Sequence, residues 1–273
     1  MRPDTAPRPW RPTPLVGVSL ALHLLLPALL LWRPAWWPGL LGVLLLDHLL
    51  LVSLGLWPRS HGLGPNLTRL PPAAAACGAV AITIDDGPDP EVTPRVLALL
   101  AEHGAQATFF CIGERAARHP ELCRAIVGAG HELGNHGQRH PLFASLLGPG
   151  GWAREVGDGQ RTLEALSGQP PRYYRAVAGL RNPMLDPVLH RLGLQLASWT
   201  RRGFDTRCRD AAEVRARLLD QLAPGDILLL HDGHAARTAE GVPIILAVLP
   251  GLLEALAERN LRPITLSRAC TQP

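Results

Sequence analysis

The chain has 273 residues, of which 47% are hydrophobic and 18% charged, and carries a formal net charge of +4. That length accommodates one enzyme domain with its own core plus a further element, and the composition excludes a disordered chain. All the basic side chains are arginines, with no basic run interleaved with aromatics, so nucleic acid is not an expected partner; the five cysteines, none in a CxxC pair, exclude a CxxC metal site and argue against a disulfide framework.

Residues 15–32 and 40–57 are almost wholly apolar. At about 1.5 Å per residue, each is long enough to cross a hydrocarbon core. The stretch between them, Arg33 to Pro38, leaves room only for a tight hairpin, and Trp32, Trp36, Trp37 and Trp57 fall at the ends of the runs, as interface anchors do. A cleaved signal peptide fits less well, because its apolar run is shorter and no second run follows it. Arg2, Arg8 and Arg11 precede the first span, Arg33 lies in the hairpin, and Arg59 and Arg69 follow the second. The positive-inside rule then leaves both ends in the cytoplasm, at a bacterial inner membrane. His23 in the first span lies at a depth similar to Asp47 and His48 in the second, and ionisable groups in lipid seek partners, so His23 is expected to pair with Asp47 or His48. The chain thus divides into a membrane hairpin over 1–60, a linker rich in Gly, Pro and small residues over 61–76, and a catalytic domain over 77–273.

Beyond the linker, β-like and helical patterns alternate. Strands are expected at 79–84, 106–112, 131–134, 172–175, 194–199, 226–230 and 261–265. Helices are expected at 93–103, with Thr93 as cap and Pro94 in first position, and at 114–129, 153–166, 185–192, 211–222 and 243–258. This alternation predicts an α/β fold: a distorted (β/α) barrel of about seven parallel strands, with its chemistry at the C-terminal strand ends.

Three motifs carry chemistry. In Thr83-Ile84-Asp85-Asp86-Gly87-Pro88 a strand runs into adjacent carboxylates and a turn. Neighbouring strand side chains point to opposite faces, so both aspartates serve one site only if the strand ends there; one then binds a metal while the other acts as a base. In His136-Gly137-Gln138-Arg139-His140 two imidazoles four residues apart suit a single ion, and with one aspartate they complete a three-ligand site of the catalytic zinc type. At Leu228-Leu229-Leu230-His231-Asp232 a buried strand ends on a histidine, a position for a general acid.

The order of these motifs resembles the NodB-homology polysaccharide deacetylases, carbohydrate esterase family four, over roughly residues 79–266. The resemblance implies a metal-dependent hydrolase that removes N-acetyl groups from amino sugars, with a divalent metal, zinc first, as cofactor. It makes Asp85 the general base and Asp86, His136 and His140 the ligands. It makes Arg175 the residue that orients the base, Trp199 and Leu229 walls of the substrate site, and His231 the general acid. Three positions depart from the pattern: Gly137 replaces a hydroxyl residue, Val177 a proline and Ser198 an aspartate. Losing the hydroxyl is expected to loosen the histidine loop, while either Asp205, from the following loop, takes the aspartate's role or nothing does. With a membrane hairpin, the expected partners are membrane lipid and an N-acetylated glycan: polyprenyl-linked if the domain is cytoplasmic, peptidoglycan or an exported polysaccharide if it is outside. Two rival readings are a glycosidase using a carboxylate pair and a degenerate, non-catalytic module that binds glycan or scaffolds a membrane complex.

Overall fold

The computed structural model describes residues 9–271; Arg2 and Arg8, counted in the charge argument, lie outside them. Helix α1 (Pro14–Trp32) and helix α2 (Trp37–Leu56) form an antiparallel pair joined by a 3-10 turn at Pro34–Trp36. Both are long and apolar enough to cross a membrane, and most of their side chains are exposed rather than packed into a core. Two such helices are compatible with an anchor or with a signal sequence. Between them Ser19 Oγ donates to Asp47 at 2.8 Å. The expected partner, His23, stands farther off: its Nδ1 lies 3.9 Å from Asp47 and donates to the Ser19 carbonyl at 2.7 Å. The His23 and His48 rings lie 5.1 Å apart. A serine one turn from the histidine reaches the carboxylate first.

The stretch read as a linker is not loose. Asn66 Nδ2 donates to the carbonyls of Pro58 and Ser60, Leu67 forms a parallel bridge to Ala197, and Leu70 N donates to Gly225 O at 2.8 Å. Arg69 pairs with buried Asp226 at 2.8 Å, and Pro72–Ala76 forms helix α3. Glycine and proline here shape a packed connection between two ends of the sheet.

That sheet comprises β1 (Ala79–Asp85), β2 (Ala107–Cys111), β3 (Glu132–Asn135), β4 (Tyr173–Tyr174), β5 (Gln195–Leu196), β6 (Arg201–Arg202), β7 (Ile227–His231) and β8 (Arg262–Pro263). Its order is β5-β4-β3-β2-β1-β7-β6, with β8 on β1, and every pairing is parallel. The seven-strand path curls into a half-barrel, as expected of the α/β alternation. β6 is a strand that no apolar alternation announces, since it consists of two arginines. Helices α4 (Thr93–Glu102), α5 (Gly113–Arg118), α6 (Pro120–Gly128), α7 (Pro149–Ser167), α8 (Leu185–Leu192), α9 (Ala211–Leu219), α10 (Ile244–Glu258) and α11 (Leu266–Thr271) complete the domain. The single helix expected over 114–129 is two, because Pro120 lacks the N–H and clashes with the preceding turn. Thr93 is inside α4 rather than its cap; Val92 precedes it.

β1 is buried along its whole length, as a central parallel strand should be. Val80, Ile82 and Ile84 face the outer helices and pack with Leu228, Leu230 and the apolar face of α10. Ala79 and Ala81 face inward beside Phe110, Leu229 and Trp199, with Leu266 of α11 in the same cluster. With period two, Thr83 and Asp85 follow Ala79 and Ala81 into the barrel.

Candidate active site

Parallel register sets the site. Asp85 and His231 are Cα partners at the ends of β1 and β7. Asn135 pairs with Tyr174, so His136 and Arg175 emerge together from β3 and β4. Four strand ends thus deliver their side chains to one face of the barrel.

Asp86 meets the condition that the sequence set for two adjacent aspartates. Its φ of +74° takes it out of the strand conformation, so its carboxylate does not continue to the opposite face. Its Oδ1 lies 3.2 Å from both His136 Nε2 and His140 Nε2. Among the described residues this oxygen is buried and makes no hydrogen bond. Ligand atoms of Asp86, His136 and His140 all fall within 4.8 Å of one another. His136 Nδ1 donates to the Arg175 carbonyl at 2.8 Å, which fixes the tautomer and leaves Nε2 with a lone pair. An unsatisfied carboxylate oxygen beside two imidazole nitrogens is a donor set that fits a divalent N/O-ligated cation. Burial works against ionised Asp86, yet His136, His140 and His234 together hold its carboxyl far below the usual carboxylate range.

Asp85 sits 3.9 Å from His136 Nε2 through Oδ2, while its Oδ1 accepts from Arg175 Nη1 at 2.7 Å. Arg175 is wholly buried inside the barrel. It also donates to Thr83 Oγ1 and to the carbonyls of Ala197 and Ser198, and its guanidinium lies 4.1 Å from the centre of the Phe110 ring. His231 Nδ1 donates to Asp205 at 2.8 Å, and the His231 backbone N–H donates to the other oxygen at 2.7 Å. Burial lowers the His231 pKa, but the Asp205 carboxylate more than offsets it and lifts the imidazole to about 8. Asp205 therefore fills the place that Ser198 does not. Ser198 instead donates to Pro58 O at 2.7 Å, tying the chain just after α2 to the site. Asp85, Asp86, His136, His140, Trp199, Leu229 and His231 surround one cavity of about 170 Å³, with Val177, Arg202 and Leu142 in its walls. Leu229 contributes from the barrel interior, 1% exposed.

Two supports of the site lie outside the three motifs. Glu155 of α7 accepts from the backbone N–H of Arg139 at 2.8 Å and of His140 at 2.9 Å, both through Oε1. This carboxylate braces the loop expected to be loose. Gly137 has φ +83°, and a Cβ there would stand 2.5 Å from Glu155 Oε1, so the missing hydroxyl and the carboxylate are alternatives in one space. Glu155 lies far from the motifs in sequence and looks like any helix-surface glutamate. The second support is His234, whose Nδ1 donates to Asp86 Oδ2 at 3.0 Å while its Nε2 accepts from Arg115 at 2.9 Å. Its only sequence signal was its place three residues beyond His231.

Comparison with known proteins agrees with this geometry. A family model for polysaccharide deacetylases matches residues 73–197. The chain is 36% identical over 156 residues to a chitooligosaccharide deacetylase of Azorhizobium caulinodans, covering 57% of this chain and 74% of that protein. It is 34% identical over 190 residues to a peptidoglycan-N-acetylglucosamine deacetylase of Bacillus cereus, covering 69% and 86%. A solved family 4 carbohydrate esterase from Streptomyces lividans superposes with a TM-score of 0.62 at 30% identity, over 68% of this chain and 91% of that one. The chain belongs to the NodB-homology polysaccharide deacetylases, hydrolases of carbon–nitrogen bonds other than peptide bonds.

Proposed function

We propose that the chain is a metal-dependent glycan N-deacetylase, anchored by α1 and α2, in which Asp86, His136 and His140 hold a divalent cation, zinc first. The observation that carries this reading is the unsatisfied Asp86 Oδ1 facing two imidazole Nε2 atoms, beside an aspartate gripped by a buried arginine. When bound, the cation supplies a Lewis acid that polarises the acyl carbonyl and acidifies water.

The chain's own residues do the rest. Asp85 takes the proton of the attacking water at Oδ2, the oxygen left free by Arg175. Arg175 keeps that carboxylate ionised and aimed. His231, protonated at neutral pH through Asp205, gives the Nε2 proton to the leaving nitrogen as the amide C–N bond breaks, releasing acetate and a free amine. Trp199 is buried, lines the site and supplies an apolar wall for the acyl methyl. The domain plan is a hairpin over 1–60, a connecting segment over 61–76 and the catalytic domain from 77, with the domain on the cytoplasmic side by the arginine count.

The test is acetate release from an N-acetylated chito-oligosaccharide by the full chain in detergent, metal-stripped, zinc-restored and as His136→Ala. Release that requires zinc and vanishes in His136→Ala is expected. Wild-type release after thorough metal stripping would overturn the ligand assignment.

A further inference from the structure

The hairpin is seated on the catalytic domain. Arg181 N donates to Gly55 O at 3.1 Å, and a side chain at Gly55 would strike the Arg181 carbonyl. Trp10 Nε1 donates to Asp186 Oδ2 at 2.7 Å, and Thr13 Oγ1 to Gly62 O at 2.7 Å. Between α1, α2 and the domain lies a groove of about 590 Å³. Leu20, Leu51 and Leu56 wall it from the helices, and Leu146, Pro149 and Met184 from the domain. These hydrogen bonds, all at the domain-proximal end of the hairpin, make the groove a built feature, and its volume is that of a ligand site.

We propose that this groove takes the hydrocarbon chain of a lipid-anchored amino-sugar substrate whose head lies in the Asp85–His231 site; the inference rests on the deacetylase reading above. Three observations point to that occupant. First, the groove and the active site share one loop: His140 is a candidate ligand, Leu142 lines the catalytic cavity, and Ser145 and Leu146 line the groove. From His140 to Leu146 the chain can reach at most about 20 Å, so a single amphiphile spans both. Secondly, that loop is apolar and outward-facing: Leu142 is 80% exposed, Phe143 74% and Leu146 80%. It adjoins two helices long enough to cross a membrane, where an apolar rim meets lipid rather than water. Thirdly, Arg181 lines the groove and is 4% exposed; one end of its guanidinium donates to the Ser60 carbonyl, Asp186 acts on its charge without forming an ion pair, and among the described residues its Nε lacks a partner. A buried cation beside an apolar channel favours an anionic link, such as phosphate, between chain and sugar.

The experiment uses the full chain in lipid nanodiscs. Two probes share an N-acetylglucosamine 1-phosphate head; one is a methyl ester and the other carries a long prenyl chain. The prenyl probe is expected to have a kcat/KM at least about tenfold higher, chiefly through KM. Val52→Trp, which fills the groove from α2, should erase that advantage while leaving hydrolysis of soluble chito-oligosaccharide unchanged. Equal kcat/KM for the two probes, with soluble turnover intact, overturns the groove and leaves the deacetylase reading standing. Hydrolysis of chito-oligosaccharide but of neither probe also overturns the groove; if nothing is hydrolysed, the deacetylase reading fails, and the groove is judged by photolabelling with a diazirine-tailed prenyl probe. Labelling at residues 16–23, 48–56 or 145–149 that the prenyl glycosyl phosphate competes and phosphatidylglycerol does not supports the groove. Labelling elsewhere, or competed equally by phosphatidylglycerol, overturns it.

Discussion

Glu155→Ala removes one carboxylate that satisfies two backbone donors, those of Arg139 and His140, in a loop that carries a candidate metal ligand. Glu155 is only 8% exposed, so water does not simply replace it. Each orphaned buried donor costs about 1–3 kcal/mol, and partial relaxation of a loop end brings the expected total loss to about 2–3 kcal/mol. His140 also holds φ +57°, a conformation that a histidine keeps only while its surroundings impose it. The ligand set should therefore lose definition as well as stability, with zinc affinity falling about 10–100-fold, as for other residues that orient ligands. Glu155→Gln retains an oxygen acceptor and should lose about 1 kcal/mol and a few-fold in affinity. Gly137→Ser, which restores the family's hydroxyl, should itself be harmful, because its Cβ meets Glu155 Oε1 and its φ is positive; in the Glu155→Ala background that harm should shrink. The assays are urea unfolding and zinc affinity by chelator competition. Unchanged stability and affinity in Glu155→Ala would refute the bracing argument, and a Gly137→Ser chain that binds zinc more tightly than wild type would refute the steric one.

Further outcomes follow from His231 and the hairpin. The rate should fall on the alkaline side as His231 loses its proton near pH 8, and Asp205→Asn should move that limb to lower pH; an unmoved limb would remove Asp205 from the mechanism. The sign for stability is the same: a histidine raised from 6.5 to about 8 stabilises fully below pH 6.5 and loses that contribution as pH rises through 8. On the proposed cytoplasmic placement of the domain, a C-terminal alkaline phosphatase fusion should be inactive and a green fluorescent fusion bright; the reverse pattern would invert the topology.

The sequence carried the parts of this molecule that obey local periodicity. β1 and β7 are apolar runs that end on site residues, and α8 spans the expected residues 185–192. What escaped has long-range causes. β6 is a strand because Arg201 and Arg202 find free backbone partners at Leu228 and Leu229, which no local pattern states. The connecting segment is ordered by Ala197, Asp226 and Gly225, all distant in sequence. The same holds in the site. Asp85, Asp86, His136, His140 and His231 were readable from spacing, whereas Glu155 and Arg115 act on them from helices whose sequence has no visible tie to the motifs. At Asp47 the expected His23 stands within 3.9 Å, and Ser19, which no spacing singled out, makes the direct hydrogen bond at 2.8 Å.

Arg175 offers a way to separate two functions that the site otherwise fuses. Its side chain holds Asp85 and its backbone carbonyl holds His136, so it orients both the proposed base and a proposed ligand. Substitution removes only the first of these. Arg175→Met keeps much of the volume beside Phe110 but leaves the Asp85 carboxylate buried without its cation. Breaking a buried pair in this way costs about 3–5 kcal/mol, to be read in urea unfolding. The carbonyl that fixes the His136 tautomer persists, so zinc affinity should stay within a few-fold of wild type while deacetylation collapses. A folded Arg175→Met chain that loses zinc as completely as His136→Ala would show that the guanidinium supports the ligands directly, and the division of labour between side chain and carbonyl would be wrong.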